Sequence, residues 1–342
     1  MIITKTPFRM SFFGGGTDME NYFKKNAGAV LSTTFDKYCY VNVRHLPRFF
    51  DYSTELSYSV TERVNEISGI QHPAIRNAMR MLDMHEIRLT YEADLPARSG
   101  LGTSSSFAVG MLNAFYALKG KYADKKKLAD EAIYLERKLC GETGGWQDQI
   151  AASFGGLNRI DFNADGYEVR PVIISPERKK KLNQSLMMFF TGFTRLSSDV
   201  QQLNENGTHS GRDAMLREML GLVDEAERVL VDASKNLDDF GRLLDHTWRL
   251  KRQVGRAVST DSIDRLYEKG VRAGALGGKL LGAGGGGFLV FYVPLECRGD
   301  VKDAMEGLLH IPFEFENEGT RVIHYSPEDY VPVEIGTSNK MD

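Results

Sequence analysis

The 342-residue chain holds only three cysteines, Cys39, Cys140 and Cys297, far apart and without a C-x-x-C pair. That excludes a disulfide framework and predicts three reduced, mostly buried thiols in a cytoplasmic protein. The seven histidines are scattered, with no H-x-x-x-H or H-E-x-x-H spacing, so no zinc site is expected. No apolar run approaches the ~20 residues that a membrane helix needs. The N-terminal "MIITKTPFRMSFF" lacks the apolar core and small-residue cleavage site of a signal peptide and reads as a first strand. Neither sign of charge is in excess: the formal net charge is -3, which gives no basis for a nucleic-acid or membrane partner. No repeat of fixed period occurs, so solenoids and propellers drop out. What is present is a normal globular mix, 42% hydrophobic and 26% charged, in a chain long enough for two domains.

"DKYCYVNVRHL" and "IRLTYEADL" carry the β-branched and aromatic residues of strands. "SSSFAVGMLNAFYALKG" reads as a helix that is apolar almost all round, hence buried. "KKKLADEAIYLERKLCG" reads as a helix with a polar face, stopped at Gly141. "GGLNRIDFNADGYEVRPV" suggests a hairpin turning at "ADG". "SPERKKKLNQ" has a proline, a charge run and no apolar period, and is the expected domain boundary, dividing 1–180 from 181–342. A strand at "SLMMFFTG", a helical region over 197–270, a glycine-rich segment, a strand "FLVFYV", a short helix "KDAMEGLLH" and a last strand "TRVIHY" follow. This interspersion without a strict βαβ rhythm predicts an α+β fold.

Two glycine-rich matches fail on context. Gly282, Gly284 and Gly287 satisfy G-x-G-x-x-G, but they precede a strand, whereas a dinucleotide fingerprint follows one and opens a helix. "GALGGK" has its first glycine one residue too close for a P-loop, and Leu280 stands where a Ser or Thr is required. "GLGTSSS" at 100–106 is different because it runs directly into a helix. Backbone N–H groups at a helix N-terminus form an anion site, and glycines allow close approach. Hydroxyls can bond phosphate oxygens or a phosphate-bound Mg²⁺. The alternative is an ordinary N-cap, for which one hydroxyl would suffice. Two more stretches stand out. "FRMSFFGGGTD" joins Arg9 and Asp18 around a triple glycine, where a simple surface pair is the alternative. "GGWQDQ" places Asp148 between glutamines, twelve residues after Glu136, which a plain helix would leave solvated.

Together these stretches resemble the GHMP kinase superfamily of galactokinase, homoserine kinase, mevalonate kinase and phosphomevalonate kinase. "TPFRMSFFGGGTD", "LPARSGLGTSSSFA" and "LGAGGGG" are similar to its three motifs, in order, across nearly the whole chain. The resemblance implies a two-domain fold, with the phosphate loop in the N-terminal domain and a ferredoxin-like C-terminal domain supplying the third loop. It implies ATP bound by Pro96, Ser99, Gly100, Leu101, Gly102, Thr103, Ser104, Ser105, Ser106, Gly284 and Gly285, with Mg²⁺ on Ser104 and Glu136. It makes Asp148 the catalytic aspartate and Arg9 its basic partner. Gly15, Gly16, Thr17 and Asp18 fall where galactokinases hold sugar hydroxyls, although Gly14 to Gly16 replace Gly-Glu-His.

The triple glycine and "GGWQDQ" are most similar to the bacterial D-glycero-D-manno-heptose 7-phosphate kinases. Such enzymes phosphorylate the anomeric hydroxyl of a sugar 7-phosphate on the route to GDP-heptose. A distal phosphate would need cations about one sugar length from Asp148, for which Arg44, His45, Arg48 and Arg195 are the candidates. The related kinase domain of fucokinases makes a free sugar such as L-fucose or galactose the alternative acceptor. A silent sugar or ATP sensor on the same fold is the non-enzyme alternative, and Arg9, Glu136 and Asp148 argue against it. The expected partners are therefore a sugar phosphate and ATP, and a homo-oligomer is left open.

Overall fold

The computed structural model describes residues 1–47, 49–97, 99–192, 209–254, 259–282 and 286–327. A nine-stranded sheet forms the larger half, in the order β13-β1-β2-β5-β3-β4, with β12 and β6 also on β2 and β7 on β6. Its first strands, β1 (Ile2–Phe13) and β2 (Gly28–His45), pair antiparallel from Ile2↔Val43 to Arg9↔Thr34 and beyond. Strand β2 is longer than the sequence suggests. Its first eight residues are buried on both faces, so the alternation that marks a half-exposed strand is absent there. Strands β3 (Thr54–Ser57), β4 (Thr61–Val64) and β5 (Ile87–Ala93) extend the sheet beyond β2. The hairpin of β6 (Asn158–Asn163) and β7 (Gly166–Pro171) turns where "ADG" predicts.

Helix α3 (Thr103–Leu118) lies across this sheet, and only Ser104 and Asn113 of its sixteen residues are not buried. Gly110 lets it press on β1: a Cβ there would fall 2.6 Å from Thr6 Oγ1. The short helix α1 (Glu20–Phe23) follows β1, and α2 (Pro73–Met81) and α4 (Lys125–Ile133) complete an apolar cluster with α3 and the sheet. Helix α5 (Gln147–Phe154) packs on α3 and α4.

The smaller sheet holds β8 (Leu186–Phe190), β9 (Gly277–Leu280), β10 (Phe288–Tyr292) and β11 (Leu309–Ile311), all pairs antiparallel, in the order β11-β8-β10-β9. Helices α7 (His209–Val231), α8 (Asp238–Val254) and α9 (Asp261–Arg272) connect β8 to β9, and α10 (Arg298–Ala304) connects β10 to β11. A βαββαβ chain in the spatial order fourth, first, third, second is the ferredoxin-like arrangement. Strand β9 lies inside the glycine-rich segment. Its glycines admit α8: a Cβ on Gly277 would fall 2.1 Å from the Gly241 carbonyl oxygen.

"SPERKKKLNQ" is not a linker. Pro176–Gln184 forms α6, capped by Ser175 Oγ on the Arg178 N–H, with Leu182 its one buried apolar residue. One buried apolar residue in nine leaves no period to detect. After β11 the chain returns to the first sheet, where β12 (Phe315–Glu316) pairs β2 and β13 (Arg321–Tyr325) pairs β1. The larger sheet thus takes strands from both sides of residue 180. The largest apolar cluster joins β1 and β2 to α7, α8, β8 and β10, so the two sheets share it, while separate clusters lie on each sheet. All three cysteines are free thiols. No helix of the described residues is long and apolar enough to cross a membrane.

Candidate active site

"GLGTSSS" forms a tight turn into α3. Gly102 is the N-cap residue, in left-handed backbone at φ 71° and ψ 26°. Leu101 is fully buried and anchors the turn in the core, while its carbonyl accepts the Arg9 N–H at 3.1 Å. A Cβ on Gly102 would lie 3.2 Å from Arg9 Cγ and 3.5 Å from Asp148 Cβ, so the turn rests on those two residues. The first-turn N–H groups of a helix have no intrahelical partner and carry partial positive charge. The hydroxyls beside them divide by role. Ser106 Oγ, buried, donates to the Pro7 carbonyl at 2.9 Å and ties α3 to β1, so it is structural. Ser104 Oγ and Ser105 Oγ donate to Glu136 Oε1 and Oε2 at 2.8 and 2.7 Å. Ser99 is buried with its hydroxyl unpartnered among the described residues, and Pro96 is exposed in the approach to the turn.

Glu136 lies in a π-helical turn, Tyr134–Leu139, that continues α4. Such turns re-aim a side chain within a helix and recur at functional sites. The solvated alternative for Glu136 fails: it is 1% exposed and accepts bonds from Ser104, Ser105 and Gln149 Nε2. A carboxylate and a hydroxyl, hard oxygen donors beside an exposed helix N-terminus, suit Mg²⁺. Among the described residues no group of three or more His, Cys, Asp or Glu could hold a metal.

The N-terminus of α5 supplies Asp148. Arg9 grips it from β1 in a fork, Nε to Oδ1 at 2.7 Å and Nη2 to Oδ2 at 2.9 Å, while Nη1 donates to the Gly100 carbonyl at 2.8 Å. Bidentate, charge-assisted pairing fixes both groups in one plane. Arg9 thus pairs with Asp148, not across the turn with Asp18. Asp18 is 2% exposed and accepts the N–H groups of Gly16 (2.9 Å) and Gln147 (3.3 Å), tying the glycine turn to the start of α5. Burial raises its pKa, the Gly16 N–H opposes that, and the Asp148 charge adds to it. Thr17 is fully buried, with its hydroxyl committed to Gly14 and Ala29, so it does not reach a substrate. Gly15 faces the site: a Cβ there would lie 3.8 Å from Gln147 Nε2 and 3.9 Å from Ser11 Oγ. Ser11 Oγ and Gln147 Oε1 are buried without partners among the described residues, as groups awaiting a hydroxylated ligand would be.

Of the expected distal cations, Arg48 and Arg195 lie outside the described residues, as do Gly284 and Gly285 of the third motif. Arg44 and His45 do not join the site. They follow Val43, which pairs with Ile2, and Ile2 is seven residues along β1 from Arg9, a distance of roughly 23 Å at ~3.3 Å per residue. Two lysines missed in the sequence lie near Arg9. Lys279 of β9 is buried and donates to the Phe12 carbonyl at 2.8 Å. Burial, then Lys251 and Arg9, push its pKa well down. Lys251 of α8 donates to the Gly282 carbonyl. Burial and Arg9 lower its pKa to about 8, against the pull of Asp18. Neither lysine carries a local signal, because "WRLKRQV" reads as an amphipathic helix and "GGKLL" as a loop.

Residues 67–156 match the GHMP kinases N terminal domain and residues 223–306 the GHMP kinases C terminal domain. The D-glycero-alpha-D-manno-heptose 7-phosphate kinase of Campylobacter jejuni is 31% identical over 343 residues, 94% of this chain and 98% of that one. A solved structure of a putative sugar kinase from Campylobacter jejuni superposes with a TM-score of 0.74 at 26% identity, covering 94% of this chain and 97% of the other. A D-glycero-D-manno-heptose 1-phosphate kinase from Bacteroides thetaiotaomicron has a TM-score of 0.76 over 94% and 98%, but at 23% identity it bears on the fold alone. With both domains matched and a relative similar from end to end, the chain belongs to the GHMP kinases and is a phosphotransferase.

Proposed function

We propose that the protein transfers the γ-phosphoryl group of ATP to the anomeric hydroxyl of D-glycero-D-manno-heptose 7-phosphate, giving the 1,7-bisphosphate. The observation that carries this reading is the end-to-end similarity to the Campylobacter jejuni heptose 7-phosphate kinase, together with the Asp148 carboxylate beside the phosphate turn. Phosphoryl transfer is mostly a matter of positioning and charge neutralisation. The turn at 100–105 and the start of α3 hold phosphate oxygens through backbone N–H groups. Asp148 accepts the proton of the attacking hydroxyl, and Arg9 fixes the carboxylate in line and faces the charge that develops on the moving group. Ser104 and Glu136 would hold Mg²⁺, which when bound neutralises the β- and γ-phosphates. Ser11 and Gln147, with buried unpartnered oxygens beside Gly15, are placed for sugar hydroxyls.

The test is a phosphorylation assay of heptose 7-phosphate beside the same heptose without its phosphate, L-fucose, galactose and mevalonate, with products assigned by phosphorus NMR. A phosphate held by one or two cations at ~1.5–3 kcal/mol each favours the 7-phosphate by about 10- to 100-fold per bond. Turnover of free heptose or L-fucose at the same rate would overturn this acceptor and leave a free-sugar 1-kinase.

A further inference from the structure

Lys251 sits in the last turn of α8, with its ammonium on the Gly282 carbonyl. Among the described residues that is its one hydrogen bond, and no carboxylate forms an ion pair with it. An ammonium has three donors, so two remain for a ligand. Gly282 lies on the phosphate turn: a Cβ on Gly282 would fall 2.3 Å from Gly100 Cα, and the Gly100 carbonyl holds Arg9 Nη1 at 2.8 Å. Two backbone residues thus link Lys251 to Arg9.

The charged groups that act on this ammonium are Arg9 from β1, Asp18 from the turn after it and Lys279 from β9. Asp148 of α5 is engaged by Arg9, and Asp18 by two backbone N–H groups. Three cations therefore converge where one carboxylate is paired and the other is taken up by the backbone. Uncompensated positive charge at a partly buried place is costly until an anion neutralises it.

We propose that Lys251 is a catalytic residue, donating to the anionic oxygens of the phosphoryl group as it passes from ATP to the acceptor. In that step the P–O bond to ADP breaks and the P–O bond to the acceptor oxygen forms. The acceptor proton goes to Asp148, and Lys251 keeps its own. The inference rests on the phosphotransferase activity and not on which sugar accepts.

Lys251→Met and Lys251→Arg in the full chain test it, using whichever acceptor the wild type turns over. A heptose 7-phosphate acceptor that fails therefore leaves this test unchanged on the sugar that replaces it. Loss of one preorganised donor to transition-state charge lowers kcat by about 10²- to 10³-fold in Lys251→Met. ATP affinity and the acceptor KM stay within about threefold, because the contact is made in transit. Lys251→Arg recovers at least about tenfold of the lost kcat. The protonated amine is the working form, so wild-type kcat/KM, which reports ionisations of the free enzyme, falls as pH rises through about 8. Arginine, which stays charged, removes that alkaline limb. Three results each overturn the proposal: kcat within about threefold in Lys251→Met, a loss confined to the acceptor or ATP KM, or an alkaline limb unchanged in Lys251→Arg. If Lys251→Met melts at the assay temperature, the pH profiles of the wild type and Lys251→Arg decide alone.

Discussion

Replacing Gly102 by alanine puts one methyl group against Arg9 and Asp148, the proposed reaction centre. Gly102 occupies left-handed backbone, φ 71° and ψ 26°, which costs an L-residue roughly 1–2 kcal/mol. The new Cβ would lie 3.2 Å from Arg9 Cγ and 3.5 Å from Arg9 Nε and Asp148 Cβ. Carbon contacts prefer about 3.5–4.0 Å, so Arg9 has to yield by about 0.3–0.5 Å. It has little slack, because Nε, Nη1 and Nη2 are all bonded at 2.7 to 2.9 Å. A misplacement of ~1 Å at a reaction centre costs about 10²-fold, so a third to a half of that lowers kcat by about 5- to 10-fold. Gly120→Ala is the control. Gly120 has φ 64° and follows the other end of α3, with nothing within 4 Å of a new Cβ. Both variants lose roughly 1–2 kcal/mol of stability, a few degrees in Tm. Only Gly102→Ala loses kcat, measured by ADP release at saturating ATP and acceptor. Equal kcat in the two variants at equal Tm would refute the claim that the seat of Arg9 and Asp148 under Gly102 sets the rate. A loss in Gly120→Ala as well would show that strain travels along α3 and that contact is not the cause.

Asp148→Asn keeps one acceptor for Arg9 and removes the proposed proton acceptor, so kcat falls by at least ~10²-fold while ATP binding, measured by calorimetry, is retained. Activity within a few-fold of wild type would take Asp148 out of the chemistry. Ser104→Ala, at an exposed position, raises the Mg²⁺ concentration needed for half-maximal rate and leaves Tm nearly unchanged. Glu136→Gln raises that concentration too and also lowers stability by about 1–3 kcal/mol, since one amide oxygen replaces two that accept bonds from Ser104, Ser105 and Gln149. An unchanged Mg²⁺ titration in both variants would move the metal elsewhere.

What was legible in the sequence is what local chemistry determines. The buried helix α3 announced itself by apolar residues on every face, and the phosphate turn by glycines followed by hydroxyls. What was not legible depends on partners distant in the chain. The double burial of the first half of β2 comes from packing on both faces, which erases alternation. The resemblance singled out Glu136, but its burial was not legible, because only the π-helical turn and α3 enclose it. Arg44 and Lys251 show the same effect in opposite directions. Both are basic residues in segments of ordinary pattern. The register of β1 on β2 carries Arg44 to the far end of the sheet from Arg9, whereas the packing of α8 on β9 carries Lys251 to the phosphate turn. Sequence distance becomes spatial distance only through register and packing, and neither is written in the residue itself.

The glycines show why the site nevertheless left so strong a trace. A Cβ on Gly100 would fall 2.3 Å from the Leu281 carbonyl oxygen, and one on Gly287 2.4 Å from that of Ser99. Gly102 lies on Arg9 in the same way. Each contact joins the phosphate turn to a motif about a hundred residues or more away, backbone against backbone or against the base of a side chain. Close approach to a phosphate explains glycine on the ligand side of the turn. These contacts explain it on the protein side: the turn is the seam where β1, α3 and the loop between β9 and β10 meet. An alanine in the seam would separate segments that together place Arg9, Asp148 and Lys251. The glycines therefore mark where both sheets meet around the proposed phosphoryl-transfer site, which is why three short, distant stretches carried more functional information than the longer elements between them.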